Sequence, residues 1–390
     1  MNKTMFRTMA SAIMAVAVMS CEKDDTDFSA YINNTESEDT TTVTPTPSTL
    51  SDTVYVAFAG SSATVSGDRS SVASVNGAHV VVNDGMSTDN LILMLSGSTT
   101  NGSLLVYRAL NYEIILNGVS ITNPSGPAIN NQCHKALYIT CAEGTTNTIA
   151  DGTEYTAQEY DQKGTLFSEG EVYFRGKGQL TVNGNYKNGI ATDDYITFLA
   201  DGPTIDVNVS KTGSNGVKAN DGVFIEGGVL TIDVKADGAR GIRCESYTTV
   251  SGGTTAITTS GDCKVETVEG VNDTTSCAGI KCDSLFSMTA GELTITSTGD
   301  GGKGVNCSEN VEISGGTFVA KTSGDNELGK PKAVKSLTAI IVSGGSFTAE
   351  VDKSWACDNG TDSEQPSERL TIVGSPKTRS IAKKKVIVTF

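Results

Sequence analysis

The chain has 390 residues and a formal net charge of −16, from 45 acidic against 29 basic side chains. So acidic a chain lacks the basic surface that nucleic acid selects, and no nucleic-acid partner is expected. Only two histidines are present, and no Cys-x-x-Cys pair, which argues against a zinc site and a histidine-based triad.

Residues 1–20 place Lys3 and Arg7 ahead of an apolar run through Ile13, Val16 and Val18. That run is too short to span a bilayer and suits a secretory signal. Val18-Met19-Ser20-Cys21 resembles the bacterial lipoprotein box, where cleavage before the cysteine is coupled to its acylation, so Cys21 is the expected lipidation site. Glu22-Lys23-Asp24-Asp25 looks like the acidic export tag of surface lipoproteins in Bacteroides-type bacteria. The expected location is therefore the outer membrane, lipid-anchored and exposed at the cell surface. Residues 21–52 hold eight acids against one lysine, with repeats such as Thr44-Pro45-Thr46-Pro47. So little apolar surface cannot offset the entropy of ordering, and the segment reads as a disordered acidic tether.

Residues 53–390 read as one domain. Its first half has β-prone runs without a clean repeat, at Val54–Val56, Val80–Val82, Leu91–Leu93, Ile114–Leu116 and Leu137–Ile139. From 189 to 349 one unit recurs about six times, opening at Gly189-Ile190, Gly216-Val217, Gly241-Ile242, Gly279-Ile280, Gly304-Val305 and Ala333-Val334. The intervals are 27, 25, 38, 25 and 29 residues, a solenoid period. Each opening is followed by an alternating segment, a tight turn such as Gly227-Gly228 or Gly252-Gly253, and a second alternating segment. Alternation means strands with one buried face, and three strands per repeat predict an all-β fold, a single-stranded parallel β-helix of about 25 residues per coil. Right-handed winding follows the general rule for parallel crossovers. Two residues past each opening, Thr192, Ala219, Cys244, Cys282, Cys307 and Ser336 should form an inward column. The first coils are expected to be irregular, and Val386–Val388, following three lysines, to belong to a C-terminal cap.

The runs YEIILNGVSITNPSGPAI (112–129), AEGTTNTIADGTEY (142–155) and GQLTVNGNYKNGIATDDYITF (178–198), with the coils after them, resemble the bacterial carbohydrate-binding β-helix family. Its namesake is a clostridial surface protein that binds cellulose and acidic sugars. The resemblance implies a right-handed parallel β-helix related to polysaccharide lyases, bound Ca²⁺, and glycan binding without established catalysis.

Acidic and amide residues recur at the coil corners: Asp193, Asp194, Asn220, Asp221, Asp237 and Asp300 are the candidate Ca²⁺ ligands. The same residue types also occupy turns for their own backbone hydrogen bonds. Adjacent strand residues point opposite ways, so at most one of Asp193 and Asp194 should reach any one ion unless the chain turns there. Trp355, Tyr186 and Arg240 are candidate glycan contacts, with Tyr155, Tyr160 and Tyr195 as further aromatic choices. Cys263 and Cys277 bracket the 38-residue interval and are the expected disulfide. The expected function is that of a monomeric surface lipoprotein binding cellulose-like or acidic polysaccharide with Ca²⁺ and no catalytic residues. A Ca²⁺-dependent polysaccharide lyase on the same scaffold and an adhesive stalk are the alternatives.

Overall fold

Strict alternation sets each strand half in and half out: along Thr254–Thr259 and Val229–Val234, every second side chain is buried. A single coil cannot cover that inner face, so its neighbours must. The computed structural model describes residues 52–390 apart from 86, 88–89, 269–270 and 276. The expected signal segment, Cys21 and residues 22–51 of the tether lie outside the described residues.

The coils stack as three parallel ladders, forming a β-solenoid of about 11 turns with about 25 residues per coil. The opening ladder runs from Ala78–Asp84 to Trp355–Asp358, and includes Asn188–Thr192, Asn215–Ala219, Arg240–Cys244 and Ala278–Cys282. The middle ladder includes Leu137–Cys141, Val172–Arg175, Tyr195–Phe198, Gly222–Ile225 and Tyr247–Val250. The closing ladder includes Gln179–Gly184, Thr204–Val209, Val229–Val234 and Thr254–Thr259. The irregular first half supplies coils too, because the long strand Tyr112–Asn123 serves both the middle and the closing ladder.

The register matches the sequence repeat. Ile190, Val217, Ile242, Ile280, Val305 and Val334 are successive partners, all fully buried. Like therefore stacks on like, and Phe318 lies on Phe347 with ring centroids 5.2 Å apart and planes 9° from parallel. Cys244, Cys282 and Cys307 are buried thiols of this interior, with the Cys282 and Cys307 sulfurs 3.1 Å apart.

The structure also explains why each repeat opens on a small residue. A Cβ on Gly241 would stand 2.3 Å from a methyl of Ile257 and 2.6 Å from the carbonyl oxygen of Gly279. The opening strand thus passes directly against the closing strand of its own coil. At the turn, Gly253 has φ of +69°, the left-handed conformation that the glycine pairs predict.

The long interval is an antiparallel hairpin, Lys264–Val268 with Val271–Thr275, standing apart from the ladders as its own two-stranded sheet. Cys263 and Cys277 flank its base. Both ends of the solenoid are closed by antiparallel pairing. Ser62–Ser66 and Ala73–Asn76 fold back at the start, while Lys385–Thr389 pairs with Ser346–Val351 and Thr378–Ile381 at the end. Lys385 there holds Glu350 at 3.0 Å.

Replacing Ile242 by Asp should bury an unpaired carboxylate and cost several kcal/mol, on the order of the penalty for an unsatisfied buried charge. Gly241→Ala should also lower the melting temperature, because both atoms it meets are fixed by neighbouring strands. Thermal melts of the two variants check this, and an unchanged Ile242→Asp melt would contradict the register.

Candidate functional site

The outer face of the opening ladder is built differently along its length. Its first coils present neutral polar groups: His79 Nδ1 lies 2.9 Å from Ser103 Oγ, and Asn130 follows two coils on. Over this stretch folds the loop of residues 152–163. Two amides anchor it, since Asn130 Nδ2 and Gln132 Nε2 both donate to the Asp161 carbonyl, at 3.0 and 3.1 Å. From the next coil Lys187 donates to the Gln162 carbonyl at 2.6 Å and Asn188 to that of Lys163 at 2.7 Å.

Between loop and ladder lies a cleft of about 240 Å³ lined by His79, Ser103, Asn123, Asn130, Gln158, Tyr160 and Gln162, among others. Amides and hydroxyls supply paired donors and acceptors without net charge. Tyr160 adds a ring, held edge-on by Tyr107 at a centroid distance of 6.4 Å. Of the aromatic residues singled out in the sequence, Tyr160 alone lines this cleft. The amides were not legible as a site, because Asn130 and Gln158 meet only when the loop folds back.

Beside the cleft, Asp161, Glu169 and Asp193 each bring a carboxylate oxygen within 4.8 Å of the others. Lys163 sits among them, 2.6 Å from Asp161 and bonded also to Asp193. Burial, and next the charge of Asp193, raise the Glu169 carboxyl above its ordinary value. Asp161 belongs to the loop and no repeat marks it, whereas Glu169 stands one coil before Asp193, in the register that pairs Ser168 with Thr192.

The six expected metal ligands are not brought together. Asp193 joins the cluster just described, and Asn220 reaches it through a long contact, Nδ2 to Asp193 Oδ1 at 3.4 Å. Asp194, with Asp193 in the bend between Asn188–Thr192 and Tyr195–Phe198, is turned toward Glu171 and Asp221. Burial, followed by those two negative neighbours, pushes its carboxyl up to about 6. Asp237 and Asp300 lie at the other end of the opening strand, roughly 16 Å away for five residues at ~3.3 Å each. There they form a ladder: the Asp237 carboxylate accepts the Asp262 N–H, Asp262 that of Asp300, and Asp300 that of Asp325, at 2.7–2.9 Å. These carboxylates hold consecutive coils together.

The expected glycan contacts are also dispersed. Trp355 packs at the C-terminal end, with the Arg369 guanidinium 3.9 Å and the Lys383 ammonium 4.4 Å from its ring centre. Tyr186 leans on Tyr155 at 4.9 Å and carries Lys211 at 5.3 Å. Arg240, in the opening ladder, faces Cys263 together with Lys303. Cys263 and Cys277 are adjacent thiols: Cys263 Sγ accepts the Cys277 N–H at 3.4 Å. A hydrogen bond from the Cys277 thiol, aided by Lys303, holds Cys263 below the usual thiol range.

Farther along the outer row of the opening ladder stand Lys218, Arg243 and Lys281, one per coil. Each already holds a carboxylate: Lys218 meets Glu245 at 3.2 Å, and Arg243 and Lys281 meet Asp283 at 2.5 and 2.6 Å.

The chain matches the family described as carbohydrate-binding domain-containing protein over residues 76–263 and 238–326, which hold the cleft, the carboxylate cluster and the regular coils. It belongs to this family. A relative of that description from Acetivibrio thermocellus is 27% identical over 143 residues, 35% of this chain. The match spans about half the relative's length, 50%. Among solved structures, the polysaccharide lyase-like protein from C. thermocellum, a gadolinium derivative, is similar with a TM-score of 0.53 and 25% identity. That likeness covers 67% of this chain and 96% of the other.

The raised Asp194 carboxyl gives a pH test. Its native state binds the proton more tightly than the unfolded chain, whose Asp titrates near ~3.9. Its contribution to stability is therefore full below about pH 4 and lost as pH rises through about 6. Asp194→Asn should melt higher than wild type at neutral pH and lose that advantage at acid pH. Paired melts at the two extremes check it; an equal gain at both would remove Asp194's charge as the cause.

Proposed function

We propose that this family member is an exported polysaccharide-binding protein that takes a neutral sugar residue in the cleft beneath loop 152–163. The observation that carries the reading is the lining: amides and hydroxyls from four separated stretches, with a tyrosine ring, around about 240 Å³. Vicinal sugar hydroxyls need a donor and an acceptor side by side, which amides offer, while the apolar sugar face suits an aromatic ring. A chain continuing along the solenoid would pass one coil every ~4.8 Å, close to the length of one sugar residue. Because Lys218, Arg243 and Lys281 already hold carboxylates, the face favours a cellulose-like chain over an acidic one.

Ca²⁺ belongs to this reading as a support for the loop. Asp161, Glu169 and Asp193 offer hard oxygens close enough together, with water and carbonyls completing the six to eight ligands the ion takes. Lys163 occupies the same oxygens, so the ion and the ammonium compete. When bound, Ca²⁺ would supply the charge that lets three carboxylates share one corner. The surface lipoprotein reading rests on residues 18–25, and the export compartment would permit a Cys263–Cys277 disulfide closing the hairpin base. The antiparallel caps replace the open parallel faces at both ends with short edges, Ala73–Asn76 and Thr378–Ile381, and the reading is of a monomer.

Gln158→Ala and Tyr160→Ala should each weaken binding to a soluble neutral β-glucan about fivefold to tenfold, equivalent to ~1–1.4 kcal/mol for a lost buried contact. Isothermal titration checks this, and unchanged affinity in both would remove the cleft. An ultraviolet assay for an unsaturated sugar product, run alongside, would turn the reading into that of a lyase if positive. Ca²⁺ at a hundredfold excess over Kd should stabilise wild type by ~2.7 kcal/mol. Asp161→Asn with Asp193→Asn should abolish that gain in melting temperature, while Asp194→Asn keeps it. Labelled palmitate should mark the wild-type cell-associated protein and not Cys21→Ala; absence of label from both would remove the anchor.

A further inference from the structure

The outer face of the middle ladder carries a second arrangement of aromatic side chains that the cleft does not use. Tyr195, Gly222 and Tyr247 are successive partners, and Phe224 is two residues past Gly222 on the same face. The rings of Tyr195, Phe224 and Tyr247 form a trio with centroids 5.6, 5.8 and 6.4 Å apart, and the two phenol oxygens are 3.5 Å from each other. Gly222 makes this possible: a Cβ there would stand 2.9 Å from a ring carbon of Tyr195 and 3.1 Å from one of Phe224.

Charge sets this trio apart from the rings that the chain itself covers with a cation. Among the described residues, cation–π contacts fall on Phe167, Tyr138, Tyr155, Tyr186 and Trp355, each ring covered by a Lys or Arg of the chain itself. Tyr195, Phe224 and Tyr247 receive none. Their charged neighbours are carboxylates instead: Asp194 immediately precedes Tyr195, Asp221 precedes Gly222, and both act on the Tyr195 hydroxyl. Glu171 completes the acidic edge one coil earlier, its Oε2 accepting from the Tyr173 hydroxyl at 2.6 Å. Ring faces and carboxylates both attract positive charge, and among the described residues no cation–π contact supplies it to these rings.

We infer that the Tyr195–Phe224–Tyr247 trio, with Asp194 and Asp221, binds the protonated amine of an amino sugar in a glycan lying along the middle ladder. The inference rests on the carbohydrate-binding reading but names a second face and a second sugar chemistry. The rings take the ammonium against their faces, and the two aspartates neutralise it.

The test titrates the wild-type protein with three β-1,4-linked hexamers, of glucosamine, N-acetylglucosamine and glucose. It is run at about pH 5.5, because the electron-withdrawing oxygens around a sugar amine place its titration well below that of an ordinary amine. The glucosamine hexamer should bind at least about tenfold more tightly than the other two. Each exposed cation–π contact contributes a factor of about two to five, so Tyr247→Ala and Phe224→Ala should lose most of that preference, while Tyr247→Phe keeps it. Asp194→Asn with Asp221→Asn should lose it too. Asp352→Asn with Asp362→Asn, exposed and in the C-terminal coils, removes the same charge and should leave it intact. Equal affinity for the three hexamers, or an equal loss in the remote pair, overturns the inference. If the glucose hexamer still binds through the cleft while glucosamine gains nothing, only this inference falls. If no hexamer binds, the carbohydrate-binding reading falls with it.

Discussion

Every feature of this chain depends on one constraint: parallel coils repeat each position about 4.8 Å farther along the axis, so each side chain meets its own counterpart. Inside, that repetition is favourable, because Ile242 between Val217 and Ile280 shares one apolar seam. It also fixes the small openings, since Gly241 lies where Ile257 of the same coil comes closest. At the corner before each opening, repetition becomes a ladder in which each aspartate accepts the next one's backbone N–H.

Outside, the same repetition places like charges side by side. Asp194 beside Asp221 and Glu171 is one result, and its raised carboxyl is the cost of that stacking. Lys218, Arg243 and Lys281 would suffer likewise but for Glu245 and Asp283 in the adjacent row. The surface is thus striped along the axis. A linear polymer with its own short repeat is the kind of ligand such stripes suit.

The cleft arises where the repetition is broken. Loop 152–163 interrupts the passage from closing to opening strand, and it is held down by amides together with the ring contacts of Tyr155 and Tyr160. Because those amides come from stretches that share no spacing, the loop gathers groups from coils on either side into one recess. The hairpin of Lys264–Val268 and Val271–Thr275 is a second interruption, and it stands apart from the ladders as its own two-stranded sheet.

The sequence by itself determined the solenoid. Alternation, glycine pairs and the recurring small-plus-branched opening are local, and in a stacked coil local position also fixes the neighbour one repeat later. The same logic placed Asp194 opposite Asp193 and in line with Asp221, one coil on. Only the tertiary structure decided which polar groups meet across non-equivalent positions. Asp161 reaches Asp193 through a loop, Trp355 is covered by Arg369 and Lys383 of the cap, and the Tyr195–Phe224–Tyr247 rings close over a glycine. Each depends on chain reversal or side-chain tilt, which the periodicity of a single strand does not encode.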